Sequence, residues 1–135
     1  TVTQVIAGKQ SYELTFLLLS DGTVKVAGNG SYGANGSTGS ANITSWTTVA
    51  VPVGSGETVT KIVQVGTGSY NTVYFLTSLG RIFAMGYNAT GVCFDGTTTN
   101  RVGTFVLVNS SSPVTDIEIL LDVNPNTPLL VGIFI

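Results

Sequence analysis

The sequence predicts an all-β fold of antiparallel, blade-like repeats, propeller-type or packed as a small sandwich, and incomplete alone. Three observations carry that expectation. Apolar residues recur with a period of two, in runs rich in Val, Ile, Thr and aromatic side chains, and turn residues separate the runs. No segment shows a helical apolar stripe with caps. The chain also repeats itself, with glycines returning at a fixed spacing.

The first strands read Val2–Ala7, Tyr12–Leu19, Thr23–Ala27 and Trp46–Val51. A second series reads Thr60–Val65, Thr72–Thr77, Arg81–Met85 and Thr104–Val108, and a third begins with Val114–Leu121 and Thr127–Ile135. Asp21-Gly22 lies between two β-runs and predicts a type I′ hairpin turn, in which both central residues take positive φ. Its later counterpart, Leu79-Gly80, keeps the glycine and loses the aspartate. Residues 28–45 form a Gly/Ser/Asn-rich surface loop, matched by a less biased one at 86–103.

A shift of 58 residues places Gly8 on Gly66, Tyr12 on Tyr70, Leu18 on Leu76 and Gly22 on Gly80. The same shift places Gly28 on Gly86 and Gly33 on Gly91, with no gap from Val5 to Gly33. Coincident glycines imply the same unusual backbone at both places. Val114-Thr115-Asp116-Ile117 matches Val59-Thr60-Lys61-Ile62 at a shift of 55. The chain thus reads as one all-β domain, 1–135, with units near 1–58 and 59–113 and a partial unit at 114–135.

The unit runs strand, Gly-x-x-Ser-Tyr, strand, glycine turn, strand ending in Gly, then a polar loop and a further strand. Ile6-Ala7-Gly8, Leu19-Ser20-Asp21-Gly22 and Ala27-Gly28-Asn29-Gly30 carry it first; Val65-Gly66, Leu79-Gly80-Arg81 and Met85-Gly86-Tyr87 carry it again. This pattern resembles the regulator-of-chromosome-condensation repeat, a β-propeller blade. Tyr12 and Tyr70 stand where that family usually has His, and Ala27-Gly28 and Met85-Gly86 where it usually has Trp-Gly. The resemblance implies a ring of about seven blades. About two and a third units cannot close one, so further repeats, sister copies or a small sandwich must bury the remaining faces. The family's nucleotide-exchange activity is not implied, because no motif residues for it are present.

Composition narrows the chemistry. Five Lys/Arg and seven Asp/Glu give a net charge of −2, and five cations cannot neutralise many phosphates, which argues against nucleic acid as a partner. The absence of His removes Ser-His and Cys-His nucleophile systems and the usual zinc sites. No cofactor or metal is expected. No apolar run approaches the roughly 18 residues of a membrane span. The single Cys93 is expected to be buried and inert.

Tyr32, Trp46 and Tyr87, in or beside the loops, are the candidate binding residues for a glycan or protein, with blade packing as the alternative. Tyr12 and Tyr70 read as structural hydrogen-bond donors at a sheet end. Gly28–Gly33 has the form Gly-x-Gly-x-x-Gly, but no following helix supplies a dipole for phosphate. Asp116 and Glu118 share one face of a predicted strand beside Asp122. They read as a solvent-facing surface, with a glycosidase carboxylate pair as the alternative. Asn29, Asn35, Asn42, Asn88 and Asn109 open Asn-x-Ser/Thr sequons.

A chain with 9% charged residues presents hydroxyls and amides to water or has its surface covered by neighbours. The leading expectation is a non-enzymatic structural or adhesive β-module of an extracellular or virion assembly. The composition resembles that of phage tail-fibre, tail-tip and decoration proteins. Its partners would be sister copies or other structural subunits, and a surface glycan or protein receptor. The second expectation is a segment of a propeller-type protein-interaction domain, and the third a polysaccharide-acting enzyme using Asp116, Glu118 or Asp122.

Overall fold

The computed structural model describes residues 1–7, 13–67, 69–109 and 112–118. The chain is all-β, built as two antiparallel four-stranded sheets that do not close into a barrel. The first sheet holds β1 (Val2–Ala7), β2 (Leu14–Leu19), β3 (Val24–Gly28) and β4 (Ile43–Val49). The second holds β5 (Val59–Thr67), β6 (Tyr70–Thr77), β7 (Ile82–Gly86) and β8 (Arg101–Leu107). Each strand pairs with the next in the chain, so each sheet is a simple meander.

The period-two pattern sorts side chains onto two faces. Leu14, Phe16, Leu18, Val24, Val26 and Val49 point from the first sheet into a shared core. Val59, Ile62, Val73, Phe75, Phe83 and Met85 meet them from the second. Phe16 and Phe75 touch edge to face at 5.8 Å, and Phe105 stands 5.7 Å beyond Phe75. Fully burying one such side chain contributes about 1.5–3 kcal/mol. Residues 71–77 of β6 are buried on both faces. Its other face, with Tyr74 and Leu76, joins Val65, Ile82 and Ala84 in a second core that Val114 and Ile117 cover.

The Asp21-Gly22 turn departs from the type I′ expectation, and the Leu79-Gly80 turn has the same form. Gly22 has φ of 85° and Gly80 of 76°, whereas Asp21 and Leu79 have negative φ. The Gly22 amide donates to the Leu19 carbonyl at 2.9 Å, and the Leu19 amide to the Thr23 carbonyl at 2.9 Å. Gly80, Thr77 and Arg81 repeat this at the same distances. Both are type I turns closed by a left-handed glycine. Only the glycine position demands positive φ, so Leu79 can replace Asp21. Asp21 instead accepts the Thr23 amide at 2.9 Å.

Strand boundaries differ from expectation mainly at the fourth strand of each unit. β4 begins at Ile43 rather than Trp46, and β8 at Arg101 rather than Thr104. In both places the strand starts opposite the glycine ending the third strand: Gly28 with Ile43, and Gly86 with Arg101. Residues 114–118 of the expected strand Val114–Leu121 are not in a strand, having no ladder partner among the described residues. The expected strand Thr127–Ile135, Gly8 and Tyr12 lie outside the described residues.

The gapless shift of 58 also needs correction. Leu17 and Phe75 correspond at 58, but Val5 pairs with Leu17 while Ile62 pairs with Phe75. First strands therefore correspond at 57: Gln4 matches Lys61, and Val5 matches Ile62. In the fourth strands, β8 holds one extra residue between its pairings with Gly86 and Ala84. Thr47 pairs with Val26 and Val106 with Ala84, so Trp46 matches Phe105.

Candidate interaction site

The loops after β3 and β7 are held by buried amides. The Gly30 amide donates to Asn42 Oδ1 at 3.0 Å, and at a shift of 58 the Asn88 amide donates to Asn100 Oδ1 at 2.7 Å. The carbonyl just before each acceptor is also satisfied, but from different places. Asn35 Nδ2 donates to the Ala41 carbonyl at 2.9 Å, whereas Asn88 Nδ2 donates to the Thr99 carbonyl at 3.0 Å. Gly30 and Asn35 in the first loop correspond to Asn88 and Cys93 in the second. The buried amide has changed position and kept its acceptor. Both Asn35 and Asn88 are buried, so these two sequons offer no glycan acceptor in the folded chain.

Asp95 closes the second loop. Burial alone would raise its carboxyl, but hydrogen bonds from Arg101, Thr97 and Asn88 hold it at about 2. Cys93 is fully buried, and burial pushes its thiol up to about 12, which keeps it protonated and unreactive. The neighbouring Tyr74 hydroxyl donates to the Val92 carbonyl, and burial raises its pKa.

Two of the three expected contact residues come together. Tyr32 stacks on Tyr70 at 5.6 Å, and Tyr87 meets their rings edge-on at 5.1 and 5.0 Å. Tyr87 is buried, and Tyr32 sits at φ 56°. The trio joins the first sheet's loop to the second sheet. Trp46 stands apart, 52% exposed on the first sheet's outer face. It borders an open groove of about 610 Å³ with Thr15, Ala27, Gly28, Ile43 and Glu13. The Gly-x-Gly-x-x-Gly string at 28–33 ends in a single 3-10 turn, Ser31–Gly33.

Asp116 and Glu118 do not form an isolated carboxylate pair. Lys61 Nζ lies 2.7 Å from Asp116 Oδ1 and 3.3 Å from Glu118 Oε1, and donates to the Ile117 carbonyl at 2.9 Å. The Lys61 side-chain hydrogen bond lowers the Asp116 pKa. Asp122 lies outside the described residues. Among the described residues, no group of three His, Cys, Asp or Glu is placed to hold a metal ion, and no helix is long and apolar enough to cross a membrane.

Two linking features escaped the sequence reading. Gln4 Nε2 donates to the Ile62 carbonyl and Gln4 Oε1 accepts the Ile62 amide, each at 3.0 Å. Lys61, the counterpart of Gln4, makes the corresponding bond to Ile117, the counterpart of Ile62. The only sequence signal was the 57-residue correspondence, which the shift of 58 conceals. Glu57 is the second feature, a fully buried carboxylate in the segment between the sheets. It accepts hydrogen bonds from the Gly54 amide, Thr77 and Arg81 at 2.5–2.9 Å.

No family model matches the chain, and no curated protein matches it. Among solved structures it is similar to the crystal structure of human WBSCR16, with a TM-score of 0.62 and 22% identity. That similarity covers 87% of this chain and 27% of the WBSCR16 chain, so the chain spans about a quarter of the length of the protein it matches.

Proposed function

We propose that the chain is a non-enzymatic structural and interaction module, a segment of a propeller-type domain in which four-stranded sheets follow one another in series. One observation carries this reading. The step from first sheet to second, Gln4 onto the Ile62 backbone, recurs from second sheet to third unit as Lys61 onto the Ile117 backbone. A device used twice, between corresponding residues of successive units, belongs to a series rather than to an isolated pair of sheets. The fold likeness to WBSCR16 supports the sheet arrangement alone. The carboxylates considered for glycoside hydrolysis are tied to Lys61, which favours a structural role for them. Nothing in the sheets bears on a virion or extracellular setting.

The test is a structure of the native polypeptide in its assembly. Further four-stranded sheets, stacked with the step seen between β1–β4 and β5–β8, are the expected result. Two sheets closing on each other as a free-standing sandwich, with residues 114–118 folded elsewhere, would overturn the reading. So would polysaccharide hydrolysis lost on Asp116→Asn.

A further inference from the structure

The second sheet shows what its inward face requires, and the first sheet's outward face is its counterpart. Ile62, Val73, Phe75, Phe83 and Met85 are each at most 5% exposed, all against the first sheet. Phe105 is part-buried in the same core, beside Phe75 and Phe83. The counterparts on the first sheet are Val5, Thr15, Leu17, Lys25, Ala27 and Trp46. None of these six is buried, Val5 is 58% exposed where Ile62 is 1%, and Trp46 is 52% exposed.

The groove beside Trp46 has a filled counterpart too. On the second sheet, the first sheet's loop occupies the corresponding place. Ala34 is fully buried there, its Cβ 3.1 Å from where a Cβ on Gly86 would stand. Gly33 lies so close to β8 that an added Cβ would sit 2.2 Å from the Gly103 amide nitrogen. Tyr32 closes the site against Tyr70 and Tyr87. On the first sheet, Gly28, Ala27 and Ile43 line the same corner, and the groove there is open.

We infer that this groove and the face around Trp46 form a docking surface for one more complete repeat of this same kind. Its inner face would cover Leu17 and Ala27, and the loop after its third strand would fill the groove. The occupant follows from the filled counterpart: on the second sheet the corresponding place is taken by the loop after β3 of the preceding unit, through Gly33 and Ala34. The inference rests on the serial reading proposed above and adds the identity of the partner and the anchor, Trp46.

Trp46 is the sole tryptophan, so its fluorescence reports on this face alone. The experiment places residues 59–113 directly ahead of Thr1 in the full chain and compares acrylamide quenching of Trp46 with and without the addition. Expected are a blue-shifted emission and a several-fold smaller quenching constant, both reversed by Ala27→Arg in the extended chain. Unchanged quenching beside an added repeat that circular dichroism shows to be folded would overturn the assignment while leaving the serial reading standing. Should the added 59–113 segment not fold, residues 1–58 carrying Trp46→Phe and placed ahead of Thr1 provide the second version, in which the Trp46 of the full chain is again the sole tryptophan and is read in the same way. Trp46 protection that grows with concentration of the unextended chain would assign the face to a second copy and overturn the proposal.

Discussion

At the scale of single residues, the repeat is preserved in backbone conformation where side chains have diverged. Gly36 has φ of 90°, and its counterpart at a shift of 58 is Phe94, with φ of 54°. A left-handed conformation costs a residue bearing a Cβ about 1–2 kcal/mol. Phe94 is 41% exposed, so its ring offsets little of that cost. Phe94→Asn is therefore expected to leave stability unchanged or raise it by up to about 1 kcal/mol, since Asn tolerates this region. Chemical denaturation measures it, and a loss of 2 kcal/mol or more would show that the Phe94 ring packs productively. Phe75→Ala is the contrast: full burial between the sheets predicts a loss of about 3–5 kcal/mol. Glycine coincidences were legible because glycine marks positive φ by its identity. Phe94 was not legible, because phenylalanine gives no sign of the conformation it has inherited.

At the scale of elements, the strands were readable and the segments between them less so. Alternation and runs of β-branched and aromatic residues located all eight strands among the described residues, including β6 and β7, which are buried on both faces. The beginnings of β4 and β8 were missed, because Ile43 and Arg101 pair through backbone with Gly28 and Gly86 and adjoin Gly/Ser/Asn/Thr-rich loops that give no apolar alternation. Glu57 was missed because its partners lie 20 and 24 positions away, in the β6–β7 turn. Its hydrogen bonds, above all from Arg81, hold the carboxyl at about 2, below its ordinary 4.5. A depressed carboxyl contributes stability that is complete above the unfolded value and is lost as pH falls through the folded one. The same sign applies to Asp95, lowered to about 2 from 3.8. With no His in the chain, unfolding free energy is expected to be flat from pH 5 to 7 and to fall from about pH 4.5 toward 2. Glu57→Gln should cost about 2 kcal/mol at pH 7 and flatten the acid limb, because the buried donors lose their charged acceptor. Denaturation curves at stepped pH check both, and an equally steep acid limb in the variant would place the titration elsewhere.

At the scale of the whole molecule, scarce charge and the uncovered outer face of the first sheet fit the serial arrangement proposed above. That the two described sheets repeat one unit was legible from spacing alone. The way one sheet engages the next was not, because a shift of 58 aligns Gln4 with Ile62 and hides that Gln4 and Lys61 are counterparts. Their chemistry differs, an amide and an ammonium, yet both reach backbone at the same place on the following unit. The amide satisfies both the donor and the acceptor of Ile62. The ammonium can satisfy only the carbonyl of Ile117 and takes Asp116 and Glu118 as additional partners. Gln4→Leu keeps the bulk of the side chain and removes both bonds. It leaves two part-buried polar groups of Ile62 unpaired, at a cost of about 1–3 kcal/mol. Amide hydrogen exchange should then accelerate at Ile62, while protection at Phe75 and Phe83, inside the second sheet's ladder, changes less. Lys61→Gln should be tolerated better, since it installs in the second sheet the side chain that already serves the first. If Ile62 keeps its protection in Gln4→Leu, the sheets are joined by apolar contact alone, and the recurrence of this bond along the chain loses its mechanical meaning.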